Sequence, residues 1–80
     1  MNAPNRVIER DANWLQGVGR DGEIIAAARR KSKGTLWYVS LRQHLSDQVT
    51  SRNQTPHARI SGKLPEEVQR KMIRAILETA

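Results

Sequence analysis

Ala28-Arg29-Arg30-Lys31-Ser32-Lys33-Gly34-Thr35-Leu36-Trp37-Tyr38-Val39-Ser40-Leu41-Arg42 joins the densest positive charge of the chain to its only strongly apolar, aromatic run. Residues 35 to 42 are rich in β-branched and aromatic side chains and lack helical spacing, which predicts a strand. Ser32-Lys33-Gly34 before it suits a three-residue hairpin loop with glycine in the left-handed position. Residues 23 to 31 would then be the partner strand. A helix remains open for them, since Asp21 would cap it, its carboxylates stand at the start and its cations at the end. An Asp-Gly turn before and a strand after favour the strand. With Lys31 opposite Thr35, Arg29/Trp37, Ala27/Val39 and Ile25/Leu41 share one face and make the better core. Arg30, Leu36, Ala28, Tyr38, Ala26, Ser40 and Arg42 share the other, a shallow surface around one tyrosine flanked by two arginines.

Upstream, Trp14-Leu15-Gln16-Gly17-Val18-Gly19 before Arg20-Asp21-Gly22 reads as a strand over 13–18 entering a hairpin, because two glycines weaken a helix there. Residues 6 to 10 are compatible with either state, and residues 1 to 5 read as a flexible tail. Downstream, residues 43 to 57 are mostly polar loop, with Leu41, Leu45 and Val49 spaced for a short helix. Ala58-Arg59-Ile60-Ser61 is a candidate short edge strand. Leu64-Pro65-Glu66-Glu67 announces a helix running to about Thr79, with proline at its start and carboxylates in the first turn. The expected fold is α+β: an antiparallel meander of about three strands, with a candidate short fourth, packed against one C-terminal helix, all in one domain over residues 6–80.

Eighty residues with 38% hydrophobic side chains and no Phe bury only a thin core. The absence of Cys removes disulfides and cysteine-based zinc sites and gives no sign of an oxidising compartment. No run approaches a membrane span, and Met1-Asn2-Ala3-Pro4-Asn5 lacks the order of a signal peptide, so a soluble cytoplasmic protein is expected. The net charge of +6 is concentrated in the middle: residues 24 to 65 hold Arg29, Arg30, Lys31, Lys33, Arg42, Arg52, Arg59 and Lys63 against Asp47 alone. Such a segment is the footprint expected for a polyanion, nucleic acid foremost, and serves equally for an acidic protein surface.

Catalytic chemistry finds little support. His44-x-x-Asp47 with His57 has the count of a metal site, but two histidines in a polar loop are better read as solvated, and neither metal nor cofactor is expected. Gly17-x-Gly19-x-x-Gly22 matches a dinucleotide fingerprint without the βαβ unit it requires, and reads as turn chemistry. Ser40 and Thr35 have no neighbouring base. A non-enzymatic protein is therefore expected, gripping phosphates through Arg29, Arg30, Lys31 and Lys33, with the charge continued by Arg42, Arg52, Arg59 and Lys63. Arg30, Arg42 and Tyr38 are the candidates for touching bases, while Trp14 and Trp37 are assigned to the core.

A three-stranded meander over 13–42 closed by a helix at 65–79 resembles the arm-binding domains of phage-type integrases, whose sheet enters the major groove; the resemblance is one of outline, without a family motif. In kind, a compact Cys-free small chain is also similar to phage-encoded inhibitor proteins, anti-CRISPR proteins among them, and this implies the alternative function, an inhibitor or adaptor presenting the same basic face to a host protein complex. The apolar arc of the C-terminal helix is wider than one thin sheet needs. That leaves Val68, Ile73, Ile76 and Leu77 as the expected self-association surface of a homodimer, unless Val7 and Ile8 cover the same margin within one chain.

Overall fold

A computed structural model of the chain describes residues 4–41 and 57–80. Five strands and one helix follow in sequence: β1 (Arg6–Asp11), β2 (Trp14–Val18), β3 (Ile24–Arg29), β4 (Trp37–Leu41), β5 (Ala58–Ile60) and α1 (Glu66–Thr79). The strands form one antiparallel sheet in the order β1-β2-β3-β4-β5, and α1 packs on one face of it. The α+β class and the C-terminal helix are as expected, but the sheet has five strands where about three, with a candidate short fourth, were expected. The undetermined segment at residues 6–10 is β1, and the candidate strand near residue 60 is β5.

Segment 24–29 is a strand although its Ile-Ile-Ala-Ala-Ala run suits a helix. Pairing on both sides outweighs the propensity of three alanines, which is a fraction of a kcal/mol per residue. The alanines also have a packing role. Ala26 and Ala28 lie fully buried in the core with Leu15, Trp37, Val39, Ile60, Ile73 and Leu77, and their small size lets the helix approach the middle of the sheet.

The β3–β4 register differs by one residue from the expected one. Arg29 stands opposite Tyr38, Ala28 opposite Val39, Ala27 opposite Ser40 and Ala26 opposite Leu41. Because side chains alternate with period two, a slip of one residue exchanges the two faces of the strand that slips. Ala26 and Ala28 join Trp37, Val39 and Leu41 on the helix side, and Ala27 and Arg29 lie with Tyr38 on the other. The connection accordingly spans residues 30–36 instead of three residues. Within it the Ser32 N–H and carbonyl both bond the Thr35 hydroxyl, and Gly34 has a φ of 89°.

α1 begins after Pro65, which holds the N-cap position, and carries Glu66 and Glu67 in its first turn, where they complement the helix dipole. Its other end is held by the last residue of the expected tail. The Asn5 amide donates to the carbonyls of Leu77 and Ala80, and the Asn5 N–H donates to that of Glu78. These bonds satisfy carbonyls that no further helical turn would reach. Ile73 and Leu77 are fully buried against the sheet and Ile76 is half-buried, with Val7 of β1 packed on the same cluster. The self-association surface expected from those three residues is thus largely consumed within the chain. Of the four, Val68 alone stays exposed, at 40%, beside Met72.

Candidate functional site

The slipped register builds a row of side chains across four strands on the sheet face opposite the helix. Trp14 of β2 pairs with Arg29 of β3, Arg29 with Tyr38 of β4, and Tyr38 with Arg59 of β5. The adjoining row, Leu15-Ala28-Val39-Ala58, points into the helix-covered core, so alternation turns the first row outward. Aromatic and guanidinium groups alternate along it and touch. The Arg29 guanidinium lies 4.6 Å from the centroid of the Trp14 ring, and that of Arg59 lies 5.8 Å from the Tyr38 ring. Arg10, the extra residue of an irregularity in β1, reaches the same place: it lies 5.8 Å from the Trp14 ring and its Nε donates to Gln16 Oε1 at 2.8 Å. Ala27 and Ser40, the next residues along the same face, are half-buried beside the row, and Gln16, paired with Ala27, is 4% exposed.

Tyr38 is 47% exposed, and Arg10, Arg29 and Arg59 are exposed. None of the described ion pairs involves these three arginines. Their partners are rings instead, contacts each worth about 0.5–1 kcal/mol at an exposed site. Such contacts hold the guanidinium groups over the sheet without neutralising them.

Arg30 stands in contrast to Arg29. It points to the helix side and is 6% exposed, with its guanidinium 4.5 Å from the Trp37 ring. All five of its side-chain N–H donors are engaged: Nε to Asn13 Oδ1, Nη1 to Glu66 Oε2 and Gln69 Oε1, and Nη2 to Glu66 Oε1 and the Ala12 carbonyl. Gln69 Oε1 also accepts from Trp37 Nε1 at 2.8 Å, while Gln69 Nε2 donates to the Gly62 and Leu64 carbonyls. Among the described residues no buried side-chain N or O is left without a partner. The hydrogen bond from Arg30 holds the Glu66 carboxyl below its ordinary value; partial burial pushes the other way, and the charges of Arg30, Arg70 and Lys33 add to the lowering. Arg70 also binds Glu9 and Glu66 on this side. The expectation that Arg30 touches a partner's bases is therefore corrected: it is a structural cation with no donor to spare.

The other expected residues fall into two groups. Arg29, Tyr38 and Arg59 lie together on the open face. Lys31 and Lys33 are exposed in the β3–β4 connection, and Lys63 in the β5–α1 turn. Those two loops meet. A Cβ at Gly62 would collide with the Gly34 carbonyl and lie 2.6 Å from the Thr35 carbonyl carbon. The three lysines thus gather at one end of the sheet, close enough to α1 for Lys33 to act on Glu66. Arg42 and Arg52 lie outside the described residues, as do His44 and Asp47; His57 is exposed just before β5.

The chain matches no family model, no curated protein and no solved structure at a significant level. Trp14, assigned from the sequence to the core, lies half-buried in the outward row, and Arg10 is the residue that reading the sequence missed. The signal for Trp14 was the alternation Trp14-Leu15, which puts the two side chains on opposite faces once residues 14–18 are a strand. Among the described residues no group of three or more His, Asp or Glu side chains is placed to hold a metal ion, and no helix is long and apolar enough to cross a membrane.

Proposed function

We propose that this protein is a small, non-enzymatic nucleic-acid-binding domain that works through the open face of its sheet. The observation that carries the reading is the cross-strand row Trp14-Arg29-Tyr38-Arg59, joined by Arg10, whose arginines take part in none of the ion pairs among the described residues. Guanidinium groups bind phosphate as a planar fork, and aromatic rings give bases a stacking surface. Lys31, Lys33 and Lys63 add phosphate contacts at the sheet end, and Arg42 and Arg52 extend the charge in sequence.

A mobility-shift series on mixed DNA and RNA at rising salt tests this. Binding is expected to be strongest at low salt, to weaken as salt rises, and to be lost in the double charge reversal Arg29→Glu/Arg59→Glu. No binding by the wild type at low salt overturns the reading.

One observation favours a second reading. Trp, Tyr and Arg are also the residue types that dominate protein–protein hot spots, and the same row would suit an acidic protein surface, as an inhibitor or adaptor would need. Capture from a nuclease-treated lysate separates the two: retention of one specific protein, lost in Arg29→Glu/Arg59→Glu, supports this second reading.

A further inference from the structure

We infer that the nucleic acid bound by the open face is single-stranded, with its bases laid on Trp14 and Tyr38. The inference rests on the nucleic-acid reading and adds the form of the ligand.

The width of the sheet decides first. Five strands at about 4.8 Å spacing make a face roughly 19 Å across, and a B-form major groove is about 12 Å wide. A two-stranded ribbon enters such a groove, and a narrow three-stranded sheet comes near to fitting. This one is too broad. Trp14 and Tyr38 stand on β2 and β4, inside the flanking strands, so neither projects from an edge.

The β3–β4 connection offers no other way in. Its tip does not stand out as a finger, because Gly34 and Thr35 are pressed against Gly62 of the β5–α1 turn. On a duplex, the open face would reach only phosphates, and its two aromatic rings would gain no base to stack on, since paired bases hide their faces against one another. A single strand exposes those faces. Stacking on aromatic side chains and guanidinium planes then uses all members of the row. The alternation of ring and guanidinium matches the repeating chemistry of base and phosphate.

The test compares the wild type on a mixed-sequence single strand of roughly 20 nucleotides, as DNA and as RNA, with the duplex of the same sequence at low salt. The single strand is expected to bind at least about tenfold more tightly, with a log K against log salt slope near −2 from three arginine contacts at about −0.7 each. Trp14→Ala and Tyr38→Ala should each weaken single-strand binding by roughly 5- to 100-fold, whereas Tyr38→Phe, which keeps the stacking surface, should not. Trp37 is buried, so quenching of tryptophan fluorescence on binding should disappear in Trp14→Phe. Duplex binding as tight as single-strand binding, or unchanged affinity in both alanine variants, defeats the inference while leaving the nucleic-acid reading standing. Binding to neither form at low salt removes the reading beneath it.

Discussion

Arg29 and Arg30 are adjacent, carry the same charge and do opposite things. One lies on the open face over a ring; the other is enclosed with a bidentate carboxylate, two side-chain amides, a carbonyl and a tryptophan. Nothing in their identities separates them, because strand alternation assigns the faces and the register was one residue out. The buried pair is expected to respond asymmetrically. Glu66→Ala leaves the Arg30 charge enclosed without its counter-charge, which costs about 3–5 kcal/mol of stability. Arg30→Met should cost less, because Glu66 is one-third exposed and keeps Arg70 within 3.4 Å. Urea unfolding of both variants measures the difference, and a larger loss in Arg30→Met would contradict this account. The pH dependence follows from the same bond. A carboxyl held below its ordinary 4.5 in the folded chain contributes stability that is complete above that pH and is lost as pH falls through the lowered folded value. In Glu66→Gln the drop in stability below pH 4.5 should be shallower than in the wild type.

At the scale of elements, the same substitution has opposite consequences at neighbouring positions of α1. Ile73 is fully buried against the sheet, so Ile73→Glu forces a carboxylate into the core at a cost of about 4 kcal/mol or more, close to the whole stability of a domain this small. That variant should be unfolded by circular dichroism at 25 °C. Val68→Glu, on the exposed flank, should change stability by about 0.5 kcal/mol or less. Had Ile73 been an interface residue, as the breadth of the apolar arc suggested, Ile73→Glu would yield folded monomers instead. Helix α1 and strands β2 and β4 were legible in the sequence because each carries a local signal: proline and carboxylates at the helix start, aromatic and β-branched residues in β4, a glycine-rich turn after β2. β1 was not, since Arg6-Val7-Ile8-Glu9-Arg10 gains its meaning from its partner, with Val7 packed on the core and Glu9 held by Arg70. The register was illegible for a related reason. Arg29, which ends β3, and Arg30, which follows it, are alike, and the bonds that hold Arg30 on the helix side come from Asn13, Glu66 and Gln69, far away in sequence.

For the molecule as a whole, the strand beyond the expected three and candidate fourth, β1, changes what a single chain can do alone. A three-stranded sheet would have left one margin of α1 bare; with β1 added, Val7 joins the cluster around Ile73 and Leu77 and closes that margin. Cations are also divided between the two sides. Those under the helix, Arg30 and Arg70, are paired with Glu66 and Glu9, and the arginines of the row, in none of the ion pairs among the described residues, stand on the opposite face. A second copy is therefore not needed to complete the core, and pairing the open faces of two chains would bring like charges together. The expected mass by light scattering at high protein concentration is that of one chain, 9.1 kDa. What apolar surface remains on α1 is the stripe of Val68 and Met72, at 40% and 42% exposure, too small by itself for a stable interface. A mass of two chains that falls to one in Met72→Glu would show that this stripe nonetheless pairs, and would place the contact on the face away from the arginine row. A dimer that survives Met72→Glu but dissociates as salt is lowered would instead join the open faces, since screening is what relieves the repulsion between them. That result would count against the row as a nucleic-acid surface.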